Sequence, residues 1–150
     1  MTADSPPTTW DTSATTEEVW AVLANGWAYA AWVVGASRIR SVDAAWPTVG
    51  SRIHHSVGSW PLLLNDETRV LRSEPSRRLV LQAQAWPFGE ATVDLALEPR
   101  GVGCRVVMRE DMTSGPGRLV PKPVRQLMLK PRNRESLRRL ALLAERRGGD

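Results

Sequence analysis

The chain's two histidines are adjacent, in residues 52–58 (RIHHSVG). Imidazole titrates near neutral pH and is a common metal ligand, so such a pair could serve acid–base chemistry or hold a metal. However, the segment alternates apolar and polar residues as a β-strand does, and successive side chains of a strand point to opposite faces. His54 and His55 therefore cannot converge on one atom. Because His55 shares its face with Ile53, we expect it to point inward and His54 to face solvent.

Metal-dependent and nucleotide-binding chemistry find little support in the sequence. The single cysteine, Cys104, excludes a cysteine-based zinc site and an internal disulfide. A metal at His55 would need further ligands, which only Asp or Glu could supply. The chain has no phosphate-binding P-loop, no G-x-S-x-G elbow and no H-E-x-x-H helix. We therefore expect no metal and no cofactor.

Alternating apolar and polar runs separated by turn residues predict six strands in the middle of the chain. The alternation is clearest in residues 92–98, where Val93, Leu95 and Leu97 share one face. The connections are short, so the strands should form an antiparallel meander with one buried face. The predicted strands are residues 37–43, 52–58, 67–74, 77–86, 90–99 and 104–111.

Helical patterns flank this meander. Thr15 and Glu18 have capping-box spacing at the start of a helix that ends at residues 25–26, and a second short helix follows. Apolar residues recur at helical spacing from Leu137 onward. The interior Pro131 predicts either a kink or the start of a new helix there.

The order of these segments predicts the fold class. A short strand near Trp10 would precede two short helices, the meander and one long terminal helix. We therefore expect an α+β fold in which a curved antiparallel sheet of six to seven strands grips a long C-terminal helix. Curved sheets of this kind commonly leave a cavity beside the helix. The chain of 150 residues should form a single ligand-binding domain, with residues 1–8 and 147–150 disordered.

Strand and helix periodicity also predict which polar side chains reach that cavity. His55, Asp66 and Glu110 lie on inward strand positions, and Asn133 lies four residues before Leu137 on the helix. A buried histidine beside a carboxylate can act as a general acid or base. The plainer alternative is an interior histidine that bonds to Asp66 or to backbone, and both interpretations stand.

Ligand contacts are predicted from the aromatic, small and apolar residues around the same space. Flat indole rings suit conjugated ligands, although each tryptophan could equally be part of the core. The predicted ligand contacts are Trp27, Trp32, Asn133, Ala83, Ala85, Val106 and Met108.

Four stretches of the chain resemble the SRPBCC superfamily (the START-like, helix-grip fold), specifically its polyketide cyclase/dehydrase-like branch. The stretches are residues 17–58, 66–99, 103–116 and 132–145, so the resemblance spans roughly residues 8–147. It implies the helix-grip fold and one hydrophobic cavity. One departure is the short, polar first strand, which leaves the pairing of that sheet edge open.

Two functions are compatible with this resemblance, because members of the superfamily include both enzymes and carriers. The first is cyclisation or dehydration of an aromatic, polyketide-like substrate, with His55 as acid or base and Asp66 or Glu110 as its orienting partner. The second is a non-catalytic carrier or sensor of a lipid or hydrophobic metabolite.

Charge and hydropathy bear on partners and location. From residue 116 onward the chain has 10 Lys and Arg against 3 Asp and Glu, whereas the first 115 residues have 10 against 13. We interpret this as a solvated basic helix face; contact of Arg134, Arg138 and Arg139 with a partner or membrane surface is the alternative. We expect no nucleic-acid partner, since no aromatic stacking set accompanies the arginines.

The chain has no signal peptide and no long apolar run, which predicts a cytoplasmic protein without stable membrane insertion. A homodimer is compatible with the sequence, but no interface is specified.

Overall fold

The computed structural model describes residues 6–57, 64–84 and 89–148. This part of the chain contains one seven-stranded antiparallel sheet. Its strands are β1 (Thr8–Thr12), β2 (Ala36–Val42), β3 (Arg52–Val57), β4 (Leu64–Glu74), β5 (Arg78–Gln84), β6 (Glu90–Arg100) and β7 (Gly103–Ser114). The strand order is β1-β7-β6-β5-β4-β3-β2, so the sheet is a meander whose last strand pairs back onto the first.

The helices lie at both ends of the sequence. Helix α1 (Thr16–Leu23), a 3₁₀ turn (Gly26–Ala28) and the single-turn α2 (Tyr29–Trp32) connect β1 to β2. A second 3₁₀ turn (Pro116–Leu119) follows β7 and leads into α3 (Lys122–Gly148). None of the described helices combines the length and the apolar character that crossing a bilayer requires. The predicted fold class is confirmed: a curved antiparallel sheet holds a long C-terminal helix, with short helices after the first strand.

The polar first strand forms despite its composition. β1 pairs with β7 from Thr8 opposite Met108 to Thr12 opposite Cys104. It therefore covers the edge of β7 and is itself an edge strand of the sheet. The Thr12 hydroxyl also donates a hydrogen bond of 2.6 Å to Glu145 of α3. The strand is therefore held by backbone pairing and by a contact to the helix, and needs little apolar surface of its own.

Local sequence signals fix the start of α1 and the connection after β2. The predicted capping box is present: the Thr15 hydroxyl accepts from the Glu18 amide at 3.1 Å, and the Glu18 carboxylate accepts from the Thr15 amide at 2.9 Å. The indole of Trp46 donates to the carbonyl of Leu23 at 3.1 Å. Trp46 thereby ties the connection between β2 and β3 to the end of α1.

Helix α3 runs without interruption through Pro131, so no new helix starts there. Proline leaves the carbonyl four residues earlier, that of Leu127, without its helical hydrogen bond. Pro131 is exposed and the Leu127 side chain is 73% exposed. Water can therefore satisfy this turn, and the helix continues.

The apolar core lies between the inner face of the sheet and the second half of α3. Leu79, Leu95 and Val106 of the sheet and Leu137 and Leu140 of the helix are almost completely buried. Burial of each such side chain stabilises the fold by about 1.5–3 kcal/mol. This seam fixes the helix against β1 and β7 and determines where the remaining inner face stays uncovered.

Candidate functional site

The two histidines lie on opposite faces of β3. His55 lies on the inner face of the sheet and is only 2% exposed. His54 lies on the outer face, where its ring nitrogens are 3.9 Å from a carboxylate oxygen of Asp43 and 3.7 Å from one of Glu67. Any chemistry of the pair therefore belongs to His55 alone.

A chain of three side chains joins α2 to the sheet across the interior. His55 Nε2 lies 2.9 Å from the hydroxyl oxygen of Thr68, and the Tyr29 hydroxyl lies 3.0 Å from the same oxygen. All three residues are buried, and the Tyr29 and His55 rings pack with centroids 5.3 Å apart. In this structure the hydrogen bond that orients His55 comes from Thr68. Asp66 lies opposite His55 in the register of β3 and β4 and is also buried.

The imidazole of His55 is neutral at physiological pH. Burial, reinforced by the positive charges of Arg40 and His54, lowers its pKa to about 4. Arg40 is held nearby because its guanidinium donates to the carbonyls of His55 and Asp66, at 3.4 and 3.2 Å. Among the described residues, none makes a hydrogen bond to Nδ1 of His55. A buried nitrogen without a partner costs about 1–3 kcal/mol, so this atom is an open hydrogen-bonding position.

A second polar cluster forms where β7 meets α3. The Glu110 carboxylate is 3% exposed and lies 3.3 Å from the guanidinium of Arg132, which also donates to the carbonyl of Val34 at 3.0 Å. Burial raises the pKa of Glu110, and the charge of Arg132 and the amide of Asn133 partly offset that rise. The structure thus brings Glu110 and Asn133 together and adds Arg132, which the sequence suggested only as part of a basic face.

Tyr29 lies between these two groups. Burial raises its pKa; its hydrogen bond with Thr68 and the positive charge of Arg132 act in the opposite direction, and the Glu110 carboxylate adds to the rise. Neither Tyr29 nor Thr68 was predicted as a site residue. Two features of the sequence could have indicated these residues. Thr68 has the same inward strand parity as Asp66, and Tyr29, the chain's one tyrosine, lies three residues before Trp32.

Small side chains form the floor between the clusters. In the sheet register Thr68 faces Ala83, Ala83 faces Ala91, and Ala91 faces Met112, which makes a row across four strands. A cavity of about 410 Å³ lies at this end of the sheet, lined by Leu64, Asn65, Asp66, Gln84, Gly89 and Glu90. A second cavity of about 240 Å³ adjoins Met112 beneath α3, with Leu129 and Arg132 in its wall. Met112, at one end of this row, borders the second cavity, whereas the first cavity lies at the ends of β4, β5 and β6.

The other predicted ligand contacts lie in different parts of the structure, some in the core and one at the surface. Val106 and Met108 are buried in the core, and Trp32 is buried with its ring edge-on to Tyr29 at 5.6 Å. Trp27 is 61% exposed and does not face the interior. Ala85 lies outside the described residues. Within the described residues, no cluster of three His, Cys, Asp or Glu side chains could hold a metal ion. Burial raises the pKa of the Cys104 thiol to about 11.

We predict that His55 makes the fold sensitive to mild acid. Between pH 6.5 and its folded pKa of about 4, the unfolded chain binds a proton that the folded chain does not, so stability falls as the pH decreases. Between pH 7 and pH 5 the wild type should lose about 2 kcal/mol more unfolding free energy than His55→Gln, measured by urea denaturation. His54→Gln, at the neighbouring position on the outer face, is the matched control and should retain the loss that His55 causes. An equal loss in the wild type and His55→Gln would contradict the assignment.

Solved structures with this architecture include one protein of unnamed role and two from biosynthetic loci. The protein NE0264 from Nitrosomonas europaea superposes with a TM-score of 0.72 at 16% identity, covering 97% of this chain and 96% of that one. The di-domain ARO/CYC StfQ from the steffimycin biosynthetic pathway gives a TM-score of 0.74 at 12% identity, covering 97% of this chain and 51% of StfQ. DynU16, from the dynemicin biosynthetic locus, gives 0.64 at 20% identity, covering 95% and 47%. At these identities the likeness shows the fold.

Comparison of the sequences themselves identifies the family. No protein of curated function matches the chain significantly. The profile of the family described as polyketide cyclase / dehydrase and lipid transport matches residues 8–145. That range runs from the start of β1 almost to the end of α3 and includes every residue of the two polar clusters. The chain is therefore a member of the polyketide cyclase / dehydrase and lipid transport family, within the SRPBCC superfamily.

Proposed function

We propose that this protein binds a hydrophobic, aromatic or polyketide-like small molecule between the inner face of its sheet and α3. The observation that carries the proposal is the buried Nδ1 of His55, which no described residue satisfies and which lies on the same face as the alanine floor. Native proteins rarely keep a buried polar atom without a partner, and a ligand atom would supply one. The family assignment and the cavity that borders Met112, at one end of the floor, support the same proposal.

The hydrogen-bond chain sets what His55 can offer to such a ligand. If Tyr29 donates to Thr68 and Thr68 donates to Nε2, then Nδ1 carries the ring hydrogen and donates to a ligand carbonyl. In the other tautomer Nε2 donates to Thr68, and Nδ1 accepts from a ligand hydroxyl. Either arrangement places one oriented polar contact beside an apolar floor, which is the composition expected of a small-molecule site.

Ala83 provides the most direct test of the location. Its side chain is only partly buried although it lies on the inner face, between the buried Thr68 and Ala91. Ala83→Leu should fill this space and weaken binding of the aromatic probe anilinonaphthalene sulfonate by roughly tenfold or more, measured by fluorescence titration. Ala96→Leu, on the outer face of β6, should leave the affinity unchanged. Equal affinities for both variants would place the ligand elsewhere.

Acid–base catalysis of cyclisation or dehydration is the second candidate. It is favoured by two buried groups whose pKa values shift in opposite directions, that of His55 downward and that of Glu110 upward. His55 would then be unprotonated and able to accept a substrate proton, and the raised pKa of Glu110 would favour proton transfer between its carboxyl group and a leaving hydroxyl. Asp66 would stabilise the imidazolium that forms at His55.

His55→Ala distinguishes catalysis from transport of the ligand. In an enzyme, the variant should lose turnover of a polyketide-like substrate by roughly a hundredfold or more, as expected on removal of an acid–base group. In a carrier, it should lower affinity for the same compound without affecting any reaction, because only one hydrogen bond is lost. Product formation is measured by chromatography and binding by fluorescence. Full turnover in His55→Ala would exclude His55 as the acid or base.

A further inference from the structure

The first half of α3 carries an apolar stripe on its solvent-facing side. Val124, Leu127, Met128 and Pro131 recur at the i, i+3, i+4, i+7 spacing that places residues on one helix face. Val124, Leu127 and Met128 are 46%, 73% and 68% exposed, and Pro131 is exposed as well. The side of the helix that faces the sheet makes polar contacts, such as the hydrogen bond from Gln126 to the Glu110 carbonyl, with Leu129 as an apolar residue in the cavity wall. This arrangement is the reverse of a helix that covers a core.

The turn that precedes α3 adds a further exposed apolar residue. Leu119, at the end of the 3₁₀ turn, is 86% exposed. We refer to Leu119, Val124, Leu127 and Met128 as the α3 patch. Met128 also lines the 240 Å³ cavity beneath the helix, so the patch borders an opening toward the interior. Contiguous exposed apolar side chains of this kind mark an interaction site.

The charge around the patch has a single sign. Residues 115–134 contain six Lys and Arg and no Asp or Glu. Arg125 and Arg132 are neutralised by the buried Asp111 and Glu110. Within the described part of the chain, Arg118, Lys130 and Arg134 form no ion pair; Arg134 lies over the ring of Trp10 at 5.8 Å. Farther along α3 the pattern ends, because Arg138 and Arg139 both pair with Glu135.

We propose that the α3 patch binds the surface of an anionic lipid bilayer. The apolar side chains would enter the boundary between headgroups and acyl chains, and Arg118, Lys130 and Arg134 would contact lipid phosphates and carboxylates. A helix with an apolar stripe flanked by cations has the composition of interfacial, non-spanning helices. Basic residues close to an anionic leaflet add further attraction.

The other candidate occupants fit these observations less well. A symmetric dimer through the patch would bring the same cations of two copies together, which disfavours a second copy of this chain. The patch side chains are also between 46% and 86% exposed, so they project from the surface and do not line a groove shaped for a partner element. A bilayer interface accommodates such projecting side chains without a matching shape.

The experiment is sedimentation of the full chain with phosphatidylcholine vesicles that contain or lack phosphatidylserine. We expect binding only to the anionic vesicles, weakened by added salt. Leu127→Ser with Met128→Ser, and separately Lys130→Gln with Arg134→Gln, should each reduce the partition coefficient by roughly tenfold or more. The matched controls are Val102→Ser, at a valine that is 89% exposed on another part of the surface, and Arg146→Gln, on the same helix.

Each alternative result would overturn the proposal. Equal binding to neutral vesicles, or patch variants that bind as the wild type does, would exclude the anionic bilayer as the occupant. A dimer in sedimentation velocity that Leu127→Ser dissociates would assign the patch to a second copy. Binding to polyglutamate that depends on the same variants, without vesicle binding, would assign it to an acidic protein. Thermal unfolding of each variant verifies that the substitution, made at an exposed site, leaves the fold intact.

Discussion

The rest of the structure depends on how α3 covers the sheet. The two halves of the helix contact the sheet through different interactions. In the second half, Leu137, Leu140, Ala141 and Ala144 are fully buried and form an apolar seam against the sheet. In the first half, the contacts to β7 are polar: Arg125 binds Asp111 through two hydrogen bonds and Gln126 binds the Glu110 carbonyl. An apolar seam closes tightly, whereas long polar side chains hold the helix at a distance. The cavity of about 240 Å³ that Met112, Leu129 and Arg132 line accordingly lies beneath this first half of the helix.

This division also explains why polar groups accumulate in the interior. Glu110, Arg132, Tyr29, Thr68 and His55 would destabilise a closed core, but here most of them have partners within the described residues. The lowered pKa of His55 removes one charge from the interior. Glu110 keeps a cation within 3.3 Å. Among the described residues none makes a hydrogen bond to the buried Nδ1 of His55, and this position on the inner face offers a ligand an oriented polar contact.

The fold could be predicted from the sequence because its signals are local. The side-chain period of a strand is two, so parity alone placed His55, Asp66 and Glu110 on the inner face. The contacts between these residues were not predictable in the same way. Thr68 bonds to Tyr29, 39 positions away, only because α2 folds back over β4. Arg132 reaches Glu110 only where α3 crosses β7, and helical spacing alone did not distinguish it from the solvent-facing arginines.

Trp27 shows how a small change in local geometry can alter a site prediction. The sequence predicts one short helix after residues 25–26, whereas the structure has a 3₁₀ turn over Gly26–Ala28 followed by a single α-helical turn at Tyr29–Trp32. A 3₁₀ turn has three residues per turn instead of 3.6, so side-chain directions shift where the two meet. Trp27 consequently faces solvent while Tyr29 and Trp32 face inward.

The central claim is that the space above the alanine floor holds a hydrophobic ligand. Native mass spectrometry of freshly purified protein, followed by denaturation and identification of any released compound, tests it most directly. The account predicts a retained aromatic or polyketide-like molecule, while a retained fatty acid or phospholipid would favour the carrier function over the enzyme. Protein that is recovered empty, and whose tryptophan fluorescence does not respond to a panel of aromatic and lipid ligands, would contradict it.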